Sequence, residues 1–313
     1  MGEAIPMNMM ILIMAFAYVI VPILFFIELW RGKFVSRRSW LLYTVMVGLF
    51  TIYLFFIGHW DFFSYYLRIM VMVLFFIMAL RSYFKVKHLP RRGPRKRWRY
   101  RLSLLLYTVL SAYFGLAVLA AWSGYFYDGK PVRLQFPLKD GVYYTGHGGN
   151  ATVINYHNAY PPQAFALDIV RLNRFGTRAA GLAPDEWERF VIYGDVIYSP
   201  CTGKVTEAKD GLKQMVPFEM GEKTQEYRKK HAAGNHVIIR CQGVDILMAH
   251  MIPGSVAVKK GEPVEVGDPI GKVGNSGNTS EPHLHIHAER DGKGVPMTFE
   301  DRFLKRNSLM FSE

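Results

Sequence analysis

The sequence predicts a chain in two parts: an N-terminal α-helical membrane region of four transmembrane helices, then a C-terminal all-β domain built on an antiparallel sheet. Three observations predict it. Half of the 313 residues are hydrophobic, with 18 Tyr and 22 Phe, and the excess lies before about residue 124. Charge divides at the same place. Up to residue 124 there are 15 basic and 3 acidic residues, a net of +12; the 23 basic and 22 acidic residues beyond leave +1. From about Lys130 onward, short apolar runs alternate with Gly and Pro turns roughly every eight to twelve residues, the pattern of successive strands. The expected domains are therefore 1–124 and 125–313.

A helix crossing the hydrocarbon core needs about 20 predominantly apolar residues. Four stretches qualify: about Met7 to Leu29, Trp40 to Gly58, Phe62 to Leu80 and Leu102 to Trp122. Trp30, Trp40, Trp60 and Trp122 fall near their ends, where aromatic side chains suit the membrane interface. Arg68 falls inside the third stretch, which is best read as a helix that starts later. The first loop carries Arg31, Lys33, Arg37 and Arg38; the second, around His59 to Asp61, carries no Lys or Arg; the third, KVKHLPRRGPRKRWRYR, is strongly basic. Basic loops stay on the cytoplasmic side. Both termini and the C-terminal domain are then expected outside a bacterial cytoplasmic (inner) membrane, toward the periplasm or cell wall. The +13 charge is a signal of topology, with the lipid bilayer as partner and nucleic acid excluded. The first span is too long, and lacks the basic start, for a cleaved signal peptide.

In the second half GKVTEA, NHVIIRC, VDILMAHM and PHLHIHAER read as strands, with helices expected only near Pro184 to Arg189 and Glu222 to Lys230. Cys201 and Cys241 both fall here. An oxidising compartment permits a disulfide between them; two buried thiols are the alternative.

The stretch EPHLHIHAER places His283, His285 and His287 at alternate positions, so on a strand all three share one face. Catalytic zinc takes three protein ligands and leaves a position for water, whose acidity it raises. A lone H-x-H is more often the mark of hydrogen-bonded surface histidines. Among the others, His236 reads as a structural residue at a strand start, His231 as solvated, His147 as a candidate for the rim of a site, and His59 and His88 as loop residues without chemistry. The glycines of GNSGN are explained by tight turns.

The run GNSGNTSEPHLHIH, Gly274 to His287, closely resembles the signature of lysostaphin-type zinc metallopeptidases, the family that includes LytM. The resemblance extends back through VIIRCQGVDILMAHM, GSVAVKKGEPVEVGDPIGKVG and YGDVIYSPCTGKV, covering most of about Gly194 to Glu289. It implies a lysostaphin/LytM-like fold, one zinc ion (Zn2+), and a metalloendopeptidase that hydrolyses peptidoglycan cross-links or stem peptides. By the same resemblance His285 is a zinc ligand, His283 and His250 act at the substrate, and Asp168 in QAFALDIV is the ligating aspartate of an H-x-x-x-D motif. The chain departs from the family at Ala164, where that motif has its histidine. Two residues are candidates to replace it, His157 and His287. In TVINYHNAYPPQAFALDIV, read as strand, turn, strand, a pair centred between Pro162 and Gln163 sets His157 opposite Asp168, with Cβ atoms about 4.5–5.5 Å apart. His287 lies about 7 Å along the strand from His285 and suits a supporting or substrate-side position better. The rival expectation is a degenerate domain that binds cell-wall peptides or regulates another hydrolase. Segments 171–193 and 209–234 look like insertions relative to the family's core, placed to control access to a cleft. No residue pattern names the bond cleaved or a protein partner.

Overall fold

Where the sequence stays apolar for about twenty residues the chain is helical, the arrangement in which a single segment satisfies its backbone N–H and C=O groups internally. The computed structural model of the chain describes residues 7–93, 97–219 and 221–313. The N-terminus expected to face outward (1–6), Pro94 to Lys96 of the basic third loop and Met220 of the second insertion lie outside the described residues. Two compact units form: one holds Asn8–Trp60 and Tyr65–Trp122, the other Asp61–Ser64 and Ser123–Glu313.

In the first unit α1 (Met7–Ala15) runs through a π-helical turn (Phe16–Ile20) into α2 (Val21–Arg31). Pro22 has no N–H to offer an α-helical turn, and the Val21 N–H bonds Phe16 O, one residue wider than the α pattern. α3 (Arg37–Ile57) starts on a capping box of Ser36 and Ser39. α4 (Tyr65–Val86) and α5 (Trp98–Ser123) follow. These make four spans long and apolar enough to cross a membrane among the described residues. Helix continues beyond the apolar stretches into basic residues, some of whose charged heads lie over aromatic rings; the Arg81 guanidinium, for example, sits 3.6 Å over the Trp30 ring. The expectation for Arg68 is corrected. The helix does begin after Phe62, but Arg68 is inside it and buried, its Nε donating to Phe55 O at 2.9 Å with the guanidinium 3.6 Å over the Phe55 ring.

The second unit is all-β apart from α6 (Glu222–Lys230) and short 3-10 turns. Its strands are β1 (Val132–Leu134), β2 (Gly141–His147), β3 (Leu167–Leu172), β4 (Val196–Tyr198), β5 (Gly203–Lys209), β6 (Asn235–Cys241) and β7 (Val244–Met251). After these come β8 (Pro263–Val264), β9 (Pro269–Lys272), β10 (Leu284–Arg290), β11 (Lys293–Val295), β12 (Met297–Phe299), β13 (Arg302–Phe303) and β14 (Leu309–Ser312). The main sheet runs β14-β2-β3-β10-β7-β6-β5-β8, with β11 paired to β10, and all its pairings are antiparallel. Period-2 patterning explains its core. Leu284, Ile286 and Ala288 of β10 turn inward with Leu167 and Ile169 of β3 and Ile246 and Met248 of β7. Each larger aliphatic side chain so buried contributes about 1.5–3 kcal/mol. The opposite face of the same three strands carries Asp168, His285 and His287.

Three expectations are revised. Residues 152–157 form turns and a 3-10 helix (Tyr156–Ala159), not a strand, so there is no hairpin around Pro161 and Pro162; β3 pairs with β2 and β10 instead. The helix expected near Pro184 to Arg189 shrinks to the 3-10 turn Trp187–Arg189. His231 is only partly solvated: the residue is half-buried, its Nδ1 is buried, and the ring lies 4.7 Å from that of Tyr227. Cys201 and Cys241 are joined in a disulfide, their Cα atoms 6.3 Å apart. Gly203 lets the joined strands approach, since a Cβ there would lie 3.0 Å from Cys241 Sγ and closer still to Arg240 O.

Candidate metal centre and active site

Strand register brings the first two groups together. β3 and β10 pair with His285 opposite Asp168, and His285 Nδ1 lies 2.9 Å from Asp168 Oδ1. The third group arrives on a loop. Fully buried Asn155 donates through Nδ2 to Gly149 O (2.9 Å) and Ala166 O (3.1 Å), folding 149–166 onto itself. The 3-10 turns Tyr156–Ala159 and Pro161–Gln163 then set His157 Nε2 2.9 Å from Asp168 Oδ2. His157, Asp168 and His285 each offer a ligand atom within 4.8 Å of the others, and all three are buried.

His250 reaches the same place by breaking the strand rule. Ala249 pairs with His285, so simple alternation would send residue 250 to the core face with Met248. A register shift between β6 and β7 falls here, and His250 takes φ +68°, a left-handed conformation uncommon for non-glycine residues, among which Asn, Asp and His adopt it most often. This bulge re-aims the imidazole, whose ring lies 4.9 Å from that of His283 and 5.7 Å from that of His285. Gly234 supports it from β6's entry: its φ is +60°, and any Cβ would clash with Ser276 O. That carbonyl accepts a hydrogen bond from His250 Nδ1 at 2.8 Å. His283 stands one residue before β10 begins, and its Nδ1–H donates to Glu281 O at 2.8 Å. Both contacts fix the tautomer, leaving Nε2 of each ring facing inward. His283 Nε2 lies 3.4 Å from Asp168 Oδ1.

The electrostatics follow from burial and from one carboxylate among several imidazoles. Burial would raise the Asp168 carboxyl, but His157 and His283 outweigh it and hold it well below the usual range. Burial lowers His283, yet Asp168 more than compensates and the net shift is upward. His250 is held well below the ordinary histidine value by burial, then by His283 and His285. Burial also lowers His285, and takes His287 down to about 3.

His287 shares the face of His285 but stands behind it: its Nδ1 is 3.0 Å from His285 Nε2, and it joins neither of the two groups able to hold a metal among the described residues, His157–Asp168–His285 and His250–His283–His285. His147 pairs with Asp168 across β2 and β3. Its Nδ1 accepts from Arg306 Nη2 at 2.8 Å, and burial, then the Arg306 charge, push it down to about 3. Tyr156 was not anticipated. Its hydroxyl donates to Asp168 Oδ2 at 3.4 Å and its ring lies 4.0 Å from that of His157; adjacency to His157 was the one available signal. Ser276, Thr279, Glu281 and Arg178 also went unread. His236 is tied to Gly234 O (2.8 Å) and Glu207 Oε1 (3.1 Å) at the start of β6, apart from these groups. Both insertion segments touch the loop before β10: Arg178 binds Glu281, and Gln214 bridges Ser276.

Two imidazole nitrogens and one carboxylate, buried and mutually within 4.8 Å, are the donor set that catalytic zinc takes from a protein. That span suits ligands lying about 2 Å from a shared ion. Residues 190–297 match the profile of peptidase family M23. The matched segment contains His250, His283, His285 and His287, while His157 and Asp168 precede it. Solved structures similar to the chain include a zinc-containing peptidase from Vibrio cholerae, at 18% identity over 53% of this chain and 39% of that one, with a TM-score of 0.30. A putative M23 peptidase from Pseudomonas aeruginosa is 19% identical over 66% and 62%, with a TM-score of 0.30. The catalytic domain of lysostaphin from Staphylococcus simulans is 18% identical over 42% and 82%, with a TM-score of 0.21. The chain thus spans less than two thirds of the first two. Four apolar helices precede a β-sheet domain whose residues 190–297 match the profile of peptidase family M23.

Proposed function

We propose that the chain is a membrane-anchored zinc endopeptidase that works outside the cytoplasmic membrane on the peptide part of peptidoglycan. One observation supports the reading: the buried ligand atoms of His157, Asp168 and His285 lie within 4.8 Å of one another, so that His157 can stand in for the histidine that the family carries where this chain has Ala164. The membrane anchor rests on four long apolar helices, on exposed Leu12, Phe76, Leu116 and Leu119 along them, and on the basic loops that orient the chain. The substrate class rests on family resemblance.

His157, Asp168 and His285 are the residues that would hold the metal. A zinc ion held there supplies Lewis acidity toward a scissile carbonyl and toward water. The chain's own groups do the rest. His250 and His283, each with Nδ1–H engaged by a backbone carbonyl, present Nε2 to the substrate. From there they can accept the proton of attacking water and stabilise the developing oxyanion. Burial of the cluster excludes bulk water and strengthens these contacts.

The test is zinc analysis beside hydrolysis of purified peptidoglycan. His285→Ala should lose both, whereas His250→Ala should keep zinc and lose most turnover. Undiminished hydrolysis by a zinc-free His285→Ala protein would refute the mechanism. Zinc binding by a wild-type chain with no hydrolysis would favour the regulatory reading.

A further inference from the structure

Arg178 is 1% exposed, and a buried guanidinium is costly unless it is paired. It lies in the segment between β3 and β4, yet its Nε donates to Glu281 Oε2 at 2.7 Å. Its Nη2 donates to Leu182 O at 3.3 Å. Two residues far upstream, in the same unit, complete its surroundings. The guanidinium stacks 3.3 Å over the Phe62 ring, Asp61 Oδ2 lies 3.6 Å from Nε, and Arg178 N–H donates to Asp61 O at 3.1 Å. Replacing such a buried charge network with apolar side chains commonly leaves stability unchanged or improved, so stability alone is a poor account of it.

What Arg178 holds is the segment that aims His283. Residues 277–283 belong to no strand or helix, so side-chain contacts define their path. Thr279 Oγ1 donates to Glu281 O at 2.7 Å, and the same carbonyl accepts from His283 Nδ1 at 2.8 Å. Pro282 restricts the backbone of Glu281 to extended conformations, so fixing the carboxylate of Glu281 leaves its carbonyl little freedom to turn. We infer that Arg178 is a positioning residue for His283: by gripping the Glu281 carboxylate it fixes the carbonyl that takes the His283 Nδ1–H and keeps His283 Nε2 turned toward the reacting atoms. Asp61 and Phe62 belong to this device, which ties the alignment of His283 to residues more than a hundred positions before Arg178.

The inference rests on the function proposed above, and its test separates the two. Full-length Arg178→Gln, Arg178→Lys and Glu281→Gln proteins in nanodiscs are compared with wild type for zinc content, kcat, KM and the ¹⁵N resonances of His283. Arg178→Gln should keep one zinc per chain and a KM within about threefold, and lose about 10- to 100-fold in kcat, the scale of a small misplacement at a reacting centre. His283 should pass from one tautomer to a mixture. Glu281→Gln should do the same, and Arg178→Lys should recover part of kcat and of the single tautomer. An unchanged His283 signal with kcat within twofold of wild type would overturn the inference, as would loss of zinc in all three variants, the mark of a merely structural role. If wild type proves inactive, the proposed function fails, and the tautomer of His283 still decides the role of Arg178.

Discussion

His287 stands behind His285, and replacing it with Phe isolates what it does. Once His285 offers Nδ1 toward a metal, its Nε2 must carry the hydrogen, and His287 Nδ1 at 3.0 Å is placed to accept it. Both rings are 5% exposed, so water cannot readily replace a lost acceptor. His287→Phe keeps an aromatic ring of similar breadth and strands a buried N–H, at a cost of about 1–3 kcal/mol. If that cost falls on the metal-binding conformation, zinc affinity drops by about 5- to 150-fold, matching the 10- to 100-fold typical of groups that orient a metal-bound histidine. His287→Gln retains an acceptor and should lose less. Competition with a chelator of known affinity measures the constant, and elemental analysis the stoichiometry. Affinity within twofold of wild type in His287→Phe would refute the reasoning. So would His287→Phe abolishing zinc while His157→Ala retained it, because His287 would then be the ligand and His157 not.

The remaining predictions concern the frame around the cluster. The Cys201–Cys241 bond spans 40 positions, for which loop-closure entropy gives about 4 kcal/mol. Chemical denaturation of the Cys201→Ala/Cys241→Ala double variant should show a loss of about 2–4 kcal/mol, and a loss below about 1 would contradict the estimate. Gly234→Ala pushes a Cβ into Ser276 O, so it should cut kcat at least about tenfold while zinc stays bound; unaltered turnover would deny Ser276 its part in holding His250. Asp61 is pushed up to about 6 by burial, which Arg178 only partly offsets. An acid that binds its proton more tightly when folded favours the fold below its unfolded value of 3.8, and that contribution is lost as pH rises to about 6. Asp61→Asn should therefore match wild type near pH 4 and exceed it near pH 7.5 by at most roughly 3 kcal/mol. The opposite order at pH 7.5 would count against the buried carboxylate.

How much could be read beforehand depended on how local each cause was. Membrane-length apolar runs and the alternation of β10 are written in adjacent residues, so four long helices and a sheet carrying His285 and His287 on one face were legible. Helix ends were harder. Ser36 caps α3 with Ser39 in place of the expected acid or amide, and α4 and α5 continue through Arg and Lys that a hydropathy reading discards. His157 shows a different limit. The expected hairpin does not exist, and the residue meets Asp168 through two 3-10 turns that Asn155 ties down; that geometry depends on three backbone carbonyls scattered between 149 and 166. Arg178 and Glu281 stand 103 positions apart, and no short-range pattern joins them. Alternation alone would send His250 to the core face, but a bulge overrides period 2.

That bulge sets stability against turnover at a single position. Holding a non-glycine residue at φ +68° costs on the order of 1 kcal/mol, and glycine would escape the cost while deleting the imidazole. Variants of this chain selected only for heat resistance should therefore drift toward Gly, or toward Asn, at position 250. On the proposed mechanism, that strain is the cost of aiming the His250 imidazole at the cluster.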